Sequence, residues 1–222
     1  MTYLSDIQLV LAPNELDNYR RFRDSEYHVE EIFRYFLPKE YYLHGIGKVV
    51  IQLDHNPRRQ KQYYEIEKIG FYHYPDFHSD NYLQLPPKDQ EQLIVTIIEQ
   101  ALLDLASRYG ANKNPISEAA KKTREANFEL SIKLATSKFH RSRRFRAEVV
   151  LSFFYGGANV DLQLVTKQEN VLKKVELLRN TWSYEVYHKY RKSRWVRDVF
   201  IIYDSSGKQS FQMDFSEEIN RA

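Results

Sequence analysis

The sequence predicts an α+β fold, in which antiparallel hairpins and a meander pack with a few helices. Apolar and polar residues alternate over 128–134 and over 145–155, as in half-buried strands. Glycine and asparagine at 156–159 tolerate the backbone of a tight turn, and 160–164 return as the second arm of a hairpin. Apolar residues three and four positions apart over 94–105 indicate a helix with one buried face. We therefore expect hairpins with helices packed on them, without regular βαβ units.

The N-terminal part of the chain has a strand pattern at 6–11, followed by a helix. Asp24 or Ser25 can cap the free amide groups at the start of this helix. Its apolar face extends to Leu37, and Pro38 ends it. The spacing predicts a helix that packs on the core.

Two further strands are predicted over 48–53 and 63–74. The polar connection at 54–61 contains a turn-forming Asn-Pro pair, so the two strands are expected to form an antiparallel hairpin. A polar loop is predicted over 75–88. The strongest helix then follows and ends before Gly110, a residue that suits a helix C-terminus.

The best candidate boundary between two parts of the chain is the segment 110–114, because the Asn-Pro pair at its end is typical of a new helix start. We interpret the chain as a single globular unit over 1–222, with lobes at 1–110 and 114–222 as a division within it. This interpretation leaves open whether the lobes are separate domains.

The C-terminal part contains one ambiguous segment and one clear hairpin. Apolar residues in 169–178 fit both periods, and we favour a short helix there. The hairpin consists of strands at Trp195–Tyr203 and Gln209–Phe215, joined by a Gly-containing turn at 204–207.

Composition excludes several classes of protein. The 222 residues include no cysteine, which rules out a disulfide framework and Cys-ligated zinc or iron–sulfur centres. The N-terminus lacks a basic region and places Asp6 before its short apolar run, so it does not resemble a signal peptide. Apolar runs are shorter than the roughly 18 residues that a membrane span requires. We expect a soluble, cytoplasmic protein with no membrane segment.

No catalytic motif stands out. The nucleophile elbow GxSxG, the zinc motif HExxH and the kinase motifs are all absent. No Asp or Glu lies two residues before a Lys, the spacing that common metal-dependent nucleases use to hold a metal beside the lysine. The sequence therefore predicts a protein that is not an enzyme.

Two groups of residues have side chains suited to metal binding or catalysis, but a structural role explains them. His73, Asp76, His78 and Asp80 have the right ligand types for a metal, but ordinary loop chemistry explains them, so we expect no metal and no cofactor. The carboxylate pairs Glu65/Glu67 and Glu30/Glu31 are expected to be solvated. If the protein were an enzyme, the residues to mutate first would be Glu65, Glu67, His73 and His78.

The net charge of +3 is distributed unevenly. Segment Lys138–Arg146 carries +5 and segment Thr181–Arg197 carries +4, which leaves the remaining chain at −6. The second segment also contains both tryptophans, interleaved with tyrosines and basic residues. Trp, Tyr and Arg are enriched where proteins bind partners, although a solvated charged face is the simpler alternative.

The residues predicted to be exposed partner contacts come from both basic segments. In contrast, Trp182 and Trp195 are expected to be core residues. The predicted contacts are Tyr187, Tyr190, Arg191, Arg194, Arg143 and Arg144.

The C-terminal pattern RWVRDVFIIYDSSGKQSFQMDF, over 194–215, resembles the final hairpin of small α+β immunity proteins of bacterial toxin systems. It covers about a tenth of the chain and contains no site motif. The resemblance implies a cytoplasmic, non-catalytic partner that neutralises a toxin by binding it. Because inhibitors of nucleases tend to be acidic, a basic chain of this kind implies a toxin that is acidic at its contact surface or is not a nuclease.

The functional prediction is a non-catalytic protein-binding module, in its most concrete form a toxin-neutralising immunity protein. Its partner would be a protein such as a cognate toxin. The alternative is a nucleic-acid-binding protein that uses the two basic, aromatic-rich segments.

Overall fold

The computed structural model describes residues 2–13, 18–55, 62–181 and 183–221. It confirms the mixed α+β class. The chain divides into two compact units, Met1–Glu129 (unit 1) and Leu130–Ala222 (unit 2). The division falls later than the predicted boundary at 110–114.

Unit 1 contains four strands and four helices within its described residues. In chain order they are β1 (Asp6–Leu11), α1 (Tyr19–Phe36), β2 (Lys48–Leu53), β3 (Gln62–Ile66), β4 (Ile69–Tyr74), α2 (Ser79–Gln84), α3 (Pro87–Tyr109) and α4 (Asn114–Glu125). The strands form one sheet in the order β1-β2-β4-β3. Strands β1, β2 and β4 are parallel, and β3 is antiparallel to β4. The helices α1, α3 and α4 pack against one another.

The predicted hairpin between 48–53 and 63–74 is wrong. Strand β2 pairs in parallel with both β1 and β4, and the hairpin lies inside the second segment, which turns at Glu67 with φ 55°. The unit β1-α1-β2 is therefore a βαβ crossover, which the sequence analysis did not expect. The three core-facing residues of β2 are fully buried, as in a central strand. This burial does not distinguish parallel from antiparallel neighbours, so the sequence pattern could not show the direction of pairing. The predicted turn at 56–61 lies outside the described residues.

Helix α1 differs from prediction at its N-terminal end, and helix α2 lies where a loop was predicted. Helix α1 begins at Tyr19, before the predicted caps Asp24 and Ser25, because the buried Phe22 extends its core face by one turn and the Ser25 hydroxyl bonds to the carbonyl oxygen of Phe22 inside the helix. Helix α2 occupies the predicted loop and has only six residues, too few to show a period. Helix α3 ends as predicted at Gly110, whose φ of 65° is left-handed.

Unit 2 contains eight strands and two short helices within its described residues. They are β5 (Leu130–Lys133), β6 (Lys138–Phe139), β7 (Phe145–Phe154), β8 (Gly157–Thr166), β9 (Val171–Thr181), α5 (Ser183–Lys189), β10 (Lys192–Val196), β11 (Val199–Tyr203), β12 (Gln209–Asp214) and α6 (Ser216–Arg221). One antiparallel sheet has the order β5-β7-β8-β9, with β6 also paired to β7. The other has the order β10-β11-β12.

The hairpins predicted for unit 2 are confirmed, with two corrections. The β7–β8 hairpin turns at Gly156 and Gly157, and the C-terminal hairpin is β11–β12. The predicted strand 195–203 is broken at Arg197, where φ is 53°, so β10 forms a third strand. The helix predicted over 169–178 is wrong, because this segment is β9 and its backbone pairs with the edge of β8. The spacing of its apolar residues fits both the helical and the strand period, and pairing with a neighbouring strand decides between them.

None of the helices within the described residues has the length and apolar character that a membrane crossing requires.

Candidate functional site

The two basic segments predicted from sequence lie side by side in unit 2. The indole Nε1 of Trp195 donates to the carbonyl oxygen of Lys138 at 3.1 Å, and Lys138 Nζ donates to the carbonyl oxygen of Ser193 at 2.7 Å. The ring nitrogen Nε2 of His140 lies 3.1 Å from the carbonyl oxygen of Arg197. The segment around β6 therefore lies along β10, and residues that are 55 to 57 positions apart share one surface, called here the basic surface.

Buried hydroxyl groups strengthen this junction. Thr136 Oγ1 donates to the carbonyl oxygen of Tyr190 at 3.0 Å, and the hydroxyl of Ser193 donates to the carbonyl oxygen of Thr136. The half-buried ring of Trp195 packs against His140 with 4.9 Å between ring centroids and against Phe200 with 5.1 Å. Trp195 thus joins the two segments, whereas Trp182 lies outside the described residues.

Five of the six predicted contacts are exposed, and one is not. Tyr187 is 46% exposed, and the four predicted arginines Arg143, Arg144, Arg191 and Arg194 are also exposed. Tyr190 is only 8% exposed, so its prediction as a surface contact is wrong. It directly follows α5, and its backbone amide donates to the carbonyl oxygen of the fully buried Val186, four residues earlier, at 2.9 Å. Burial raises the pKa of Tyr190 to about 12.

Some cations of unit 2 are paired with a carboxylate and others are not. Arg146 pairs with Glu148 and Glu169, and Lys189 lies 3.5 Å from Glu185. Eight exposed cations on or beside the basic surface have no carboxylate within ion-pair distance among the described residues. They are Lys138, Arg143, Arg144, Lys167, Arg191, Lys192, Arg194 and Arg197.

Several aromatic rings around the basic surface are covered by guanidinium groups at cation–π distance. The distances from the guanidinium carbon to the ring centroid are 5.1 Å for Arg146 over Phe139, 5.3 Å for Arg144 over Phe145 and 5.4 Å for Arg194 over Tyr203. These rings therefore present one face to an arginine of the same chain.

Two clefts of unit 2 are lined by predicted contact residues. One, of about 250 Å³, is lined by Arg144, Phe145, Thr166, Lys167 and Gln168. The other, of about 360 Å³, is lined by Tyr187, His188, Arg191 and Ser205. Each cleft contains at least one of the unpaired cations, so each can receive an anionic group.

The two units also differ in net charge. Unit 2 has 17 basic and 10 acidic residues, a net charge of +7. Unit 1 has 16 basic and 20 acidic residues, a net charge of −4. The positive field of the basic surface is thus supported by the whole of unit 2.

The residues considered for metal binding or catalysis do not form one site. His73 is buried with its Nε2 3.8 Å from Asp54 Oδ2, and Asp80 accepts a hydrogen bond from Asn18 at 2.7 Å. Glu65 and Glu67 are exposed, as expected. Among the described residues, no group of three or more His, Asp or Glu side chains is arranged to hold a metal ion.

The prediction that Glu30 and Glu31 are solvated is wrong, because both are buried. Glu31 pairs with Arg34. One oxygen of Glu30 accepts from the backbone amide of Leu9, and the other lies 3.1 Å from Arg23 Nη1. The same nitrogen of Arg23 is 3.5 Å from the carbonyl oxygen of Leu9. Because β1 is the outer strand of its sheet, Arg23 and Glu30 satisfy polar groups on its free edge.

A second buried carboxyl group completes this network. Glu26 is fully buried and pairs with Arg23. Burial, and then the nearby Glu30, raise the pKa of Glu26 well above its ordinary value, while Arg23 opposes the shift. Burial also raises the pKa of Glu30 to about 6 against the opposing effect of Arg23. Sequence analysis missed Arg23 and Glu26, although Glu26 lies on the helical face that Phe22 and Val29 define.

Comparison with protein-family models, with curated proteins and with solved structures finds no match for this chain.

Proposed function

We propose that this chain is a non-catalytic binding protein whose basic surface contacts an acidic surface of a protein partner. The observation that carries the proposal is the set of exposed cations without a carboxylate partner among the described residues. Unpaired charges leave their interaction energy available to a partner, and complementary charge accelerates association and favours the correct partner. The proposal includes no catalytic role for Glu65, Glu67, His73 or His78.

The character of the surface favours a protein over a single-stranded nucleic acid. Bases bind by stacking on open aromatic rings. Three rings of this region already have a guanidinium over one face. Between the cations Arg194 and Arg197, the exposed side chain is the aliphatic Val196. Aliphatic contact beside exposed arginine suits a protein interface better than a base.

The most concrete form of the proposal is an immunity protein that neutralises a toxin by binding it. The hairpin that carries the resemblance corresponds to β11 and β12, and the neighbouring strand β10 carries Lys192 and Arg194. A toxin recognised in this way would present carboxylates at its contact surface, since a basic surface repels a basic active site.

The test uses charge reversal at the basic surface with a control of equal charge. The partner is first identified by copurification with the full chain and then purified for calorimetric titration. We expect R191E/R194E to weaken binding by at least about tenfold, and more strongly at low salt. The control R179E/R221E makes the same change in net charge at exposed arginines that are paired with Glu176 and Glu217, and should retain affinity within about threefold.

Equal losses in the two double variants would show that binding depends on net charge alone and would remove the basic surface from the proposal. A purified chain that binds no protein and turns over a substrate would overturn the proposal as a whole.

The second candidate function is binding of single-stranded nucleic acid, which the exposed Tyr187 beside Arg191 favours. Fluorescence anisotropy with labelled oligonucleotides at about 50 and about 200 mM salt tests it. Binding that weakens steeply with salt and is lost in R191E/R194E would establish this function in place of the first. If no oligonucleotide binds at low salt, the alternative is excluded.

A further inference from the structure

Two histidines of unit 1 meet where the parallel strands β2 and β4 end. The amide of Asp54 donates to the carbonyl oxygen of Tyr74 at 3.0 Å, and the amide of Phe77 donates to the carbonyl oxygen of Asp54 at 3.0 Å. His55 and His78 are the next residues after Asp54 and Phe77. The backbone hydrogen bond between Asp54 and Phe77 therefore places the two histidines beside each other.

Buried neighbours fix the segment that carries His78. Phe77 is 2% exposed and packs against Phe22 with 5.7 Å between ring centroids. Ser79, on the other side of His78, is fully buried and accepts a hydrogen bond from Asn18 at 2.9 Å. On the opposite segment, His55 forms an isolated antiparallel bridge with Asp76. Both histidines are thus exposed side chains on an anchored backbone.

The imidazole rings of His55 and His78 lie with 3.3 Å between their centroids and an angle of 33° between their planes. Two protonated imidazoles at this distance would repel each other strongly. Two neutral imidazoles each offer a nitrogen lone pair, and a shared cation would convert the contact into an attraction. Imidazole is a preferred ligand of Zn²⁺, Ni²⁺ and Cu²⁺, whereas Mg²⁺ prefers oxygen ligands.

We propose that His55 and His78 together bind a divalent transition-metal ion through their imidazoles, with water at the remaining coordination positions. This pair differs from the group that the sequence suggested. His55 was not part of that group, while His73 is buried beside Asp54 and Asp80 is held by Asn18. The site lies in unit 1 and is independent of the function proposed for the basic surface.

The experiment is calorimetric titration of the full chain, without any polyhistidine tag, with ZnCl₂ and NiCl₂ at neutral pH. We expect saturable binding of one ion per chain, and each of H55A and H78A should weaken it by at least about tenfold, because each removes one of two protein ligands. The matched control is H44A, whose exposed imidazole lies in the same unit and stacks on Tyr109 at 4.5 Å. H44A should bind as the unmodified chain does, and MgCl₂ should give no signal.

Variants that keep the size of the side chain guard against misfolding. H55Q and H78Q retain a polar planar group, and circular dichroism confirms their fold before titration. Loss of metal binding in folded H55Q and H78Q supports the site. Absence of saturable binding in the unmodified chain, or equal binding by the H55A/H78A double variant, would overturn it.

Discussion

The buried network of unit 1 and the basic surface of unit 2 use charged side chains in opposite ways. In unit 1, the carboxyl groups of Glu26 and Glu30 are buried beside Arg23 and satisfy the free edge of β1. In unit 2, Arg191 and Arg194 are exposed and have no carboxylate within ion-pair distance among the described residues. Buried charges that have partners are required by the fold, whereas exposed charges without partners contribute little to it and remain available for binding.

The largest expected effect comes from removing the shared cation of unit 1. Arg23→Ala leaves two buried carboxyl groups and the carbonyl of Leu9 without their common donor, and should lower the free energy of unfolding by about 3–5 kcal/mol. Arg21→Ala, at an exposed position of the same helix, should change it by less than about 0.5 kcal/mol. Urea unfolding followed by circular dichroism measures both. Equal changes in the free energy of unfolding in the two variants would show that the buried network does not stabilise the fold.

A smaller effect is expected from pH. The pKa of Glu30 in the folded chain is raised by burial from its ordinary 4.5 to about 6, so the folded state takes up a proton relative to the unfolded chain between these values. Stability should therefore fall as the pH rises through this window, by about 2 kcal/mol.

The matched variant is Glu30→Gln, whose amide stays neutral at every pH and can still accept from Leu9. Between pH 4.5 and about pH 7, the free energy of unfolding of this variant should rise by about 2 kcal/mol relative to that of the unmodified chain. Urea unfolding measures the difference. A constant difference between the two proteins across this range would contradict the assignment to Glu30.

The smallest effects on stability are expected at the exposed arginines of unit 2, which have no carboxylate partner. Arg191→Ala should change the free energy of unfolding by less than about 0.5 kcal/mol. Arg194→Ala also removes the contact with the Tyr203 ring, and should lower it by about 0.5–1 kcal/mol. Both are measured by urea unfolding. A loss of several kcal/mol in either variant would show that these arginines hold the fold together and would weaken the case for a binding surface.

Regular periods predicted the elements that depend on local pattern. The β7–β8 hairpin, the β11–β12 hairpin and helix α3 follow from alternation, glycine turns and helical spacing. The errors have a common physical cause. The sequence pattern predicts the wrong pairing for β2 and the wrong type of element for β9. Both depend on the direction or the presence of a neighbouring strand, which is set by residues distant in the sequence.

The buried network of unit 1 could have been detected in part. Glu26 and Glu30 lie among Phe22, Val29 and Phe33 on one helical face, and a carboxylate on an apolar face is a signal for a buried partner. The identity of that partner could not have been read in the same way. Arg23 supports the carboxyl groups only because the backbone of Leu9 lies beside the same face.

By itself, the sequence determined the uneven charge, the absence of cysteine chemistry and most of the hairpins, because each of these depends on composition or on residues close together in the chain. The tertiary structure alone decided that the two basic segments share one surface, that Tyr190 is buried and that His55 meets His78. These contacts join residues separated by 23 to 57 positions, and only the packing of strands and the hydrogen bonds between their ends bring such residues together.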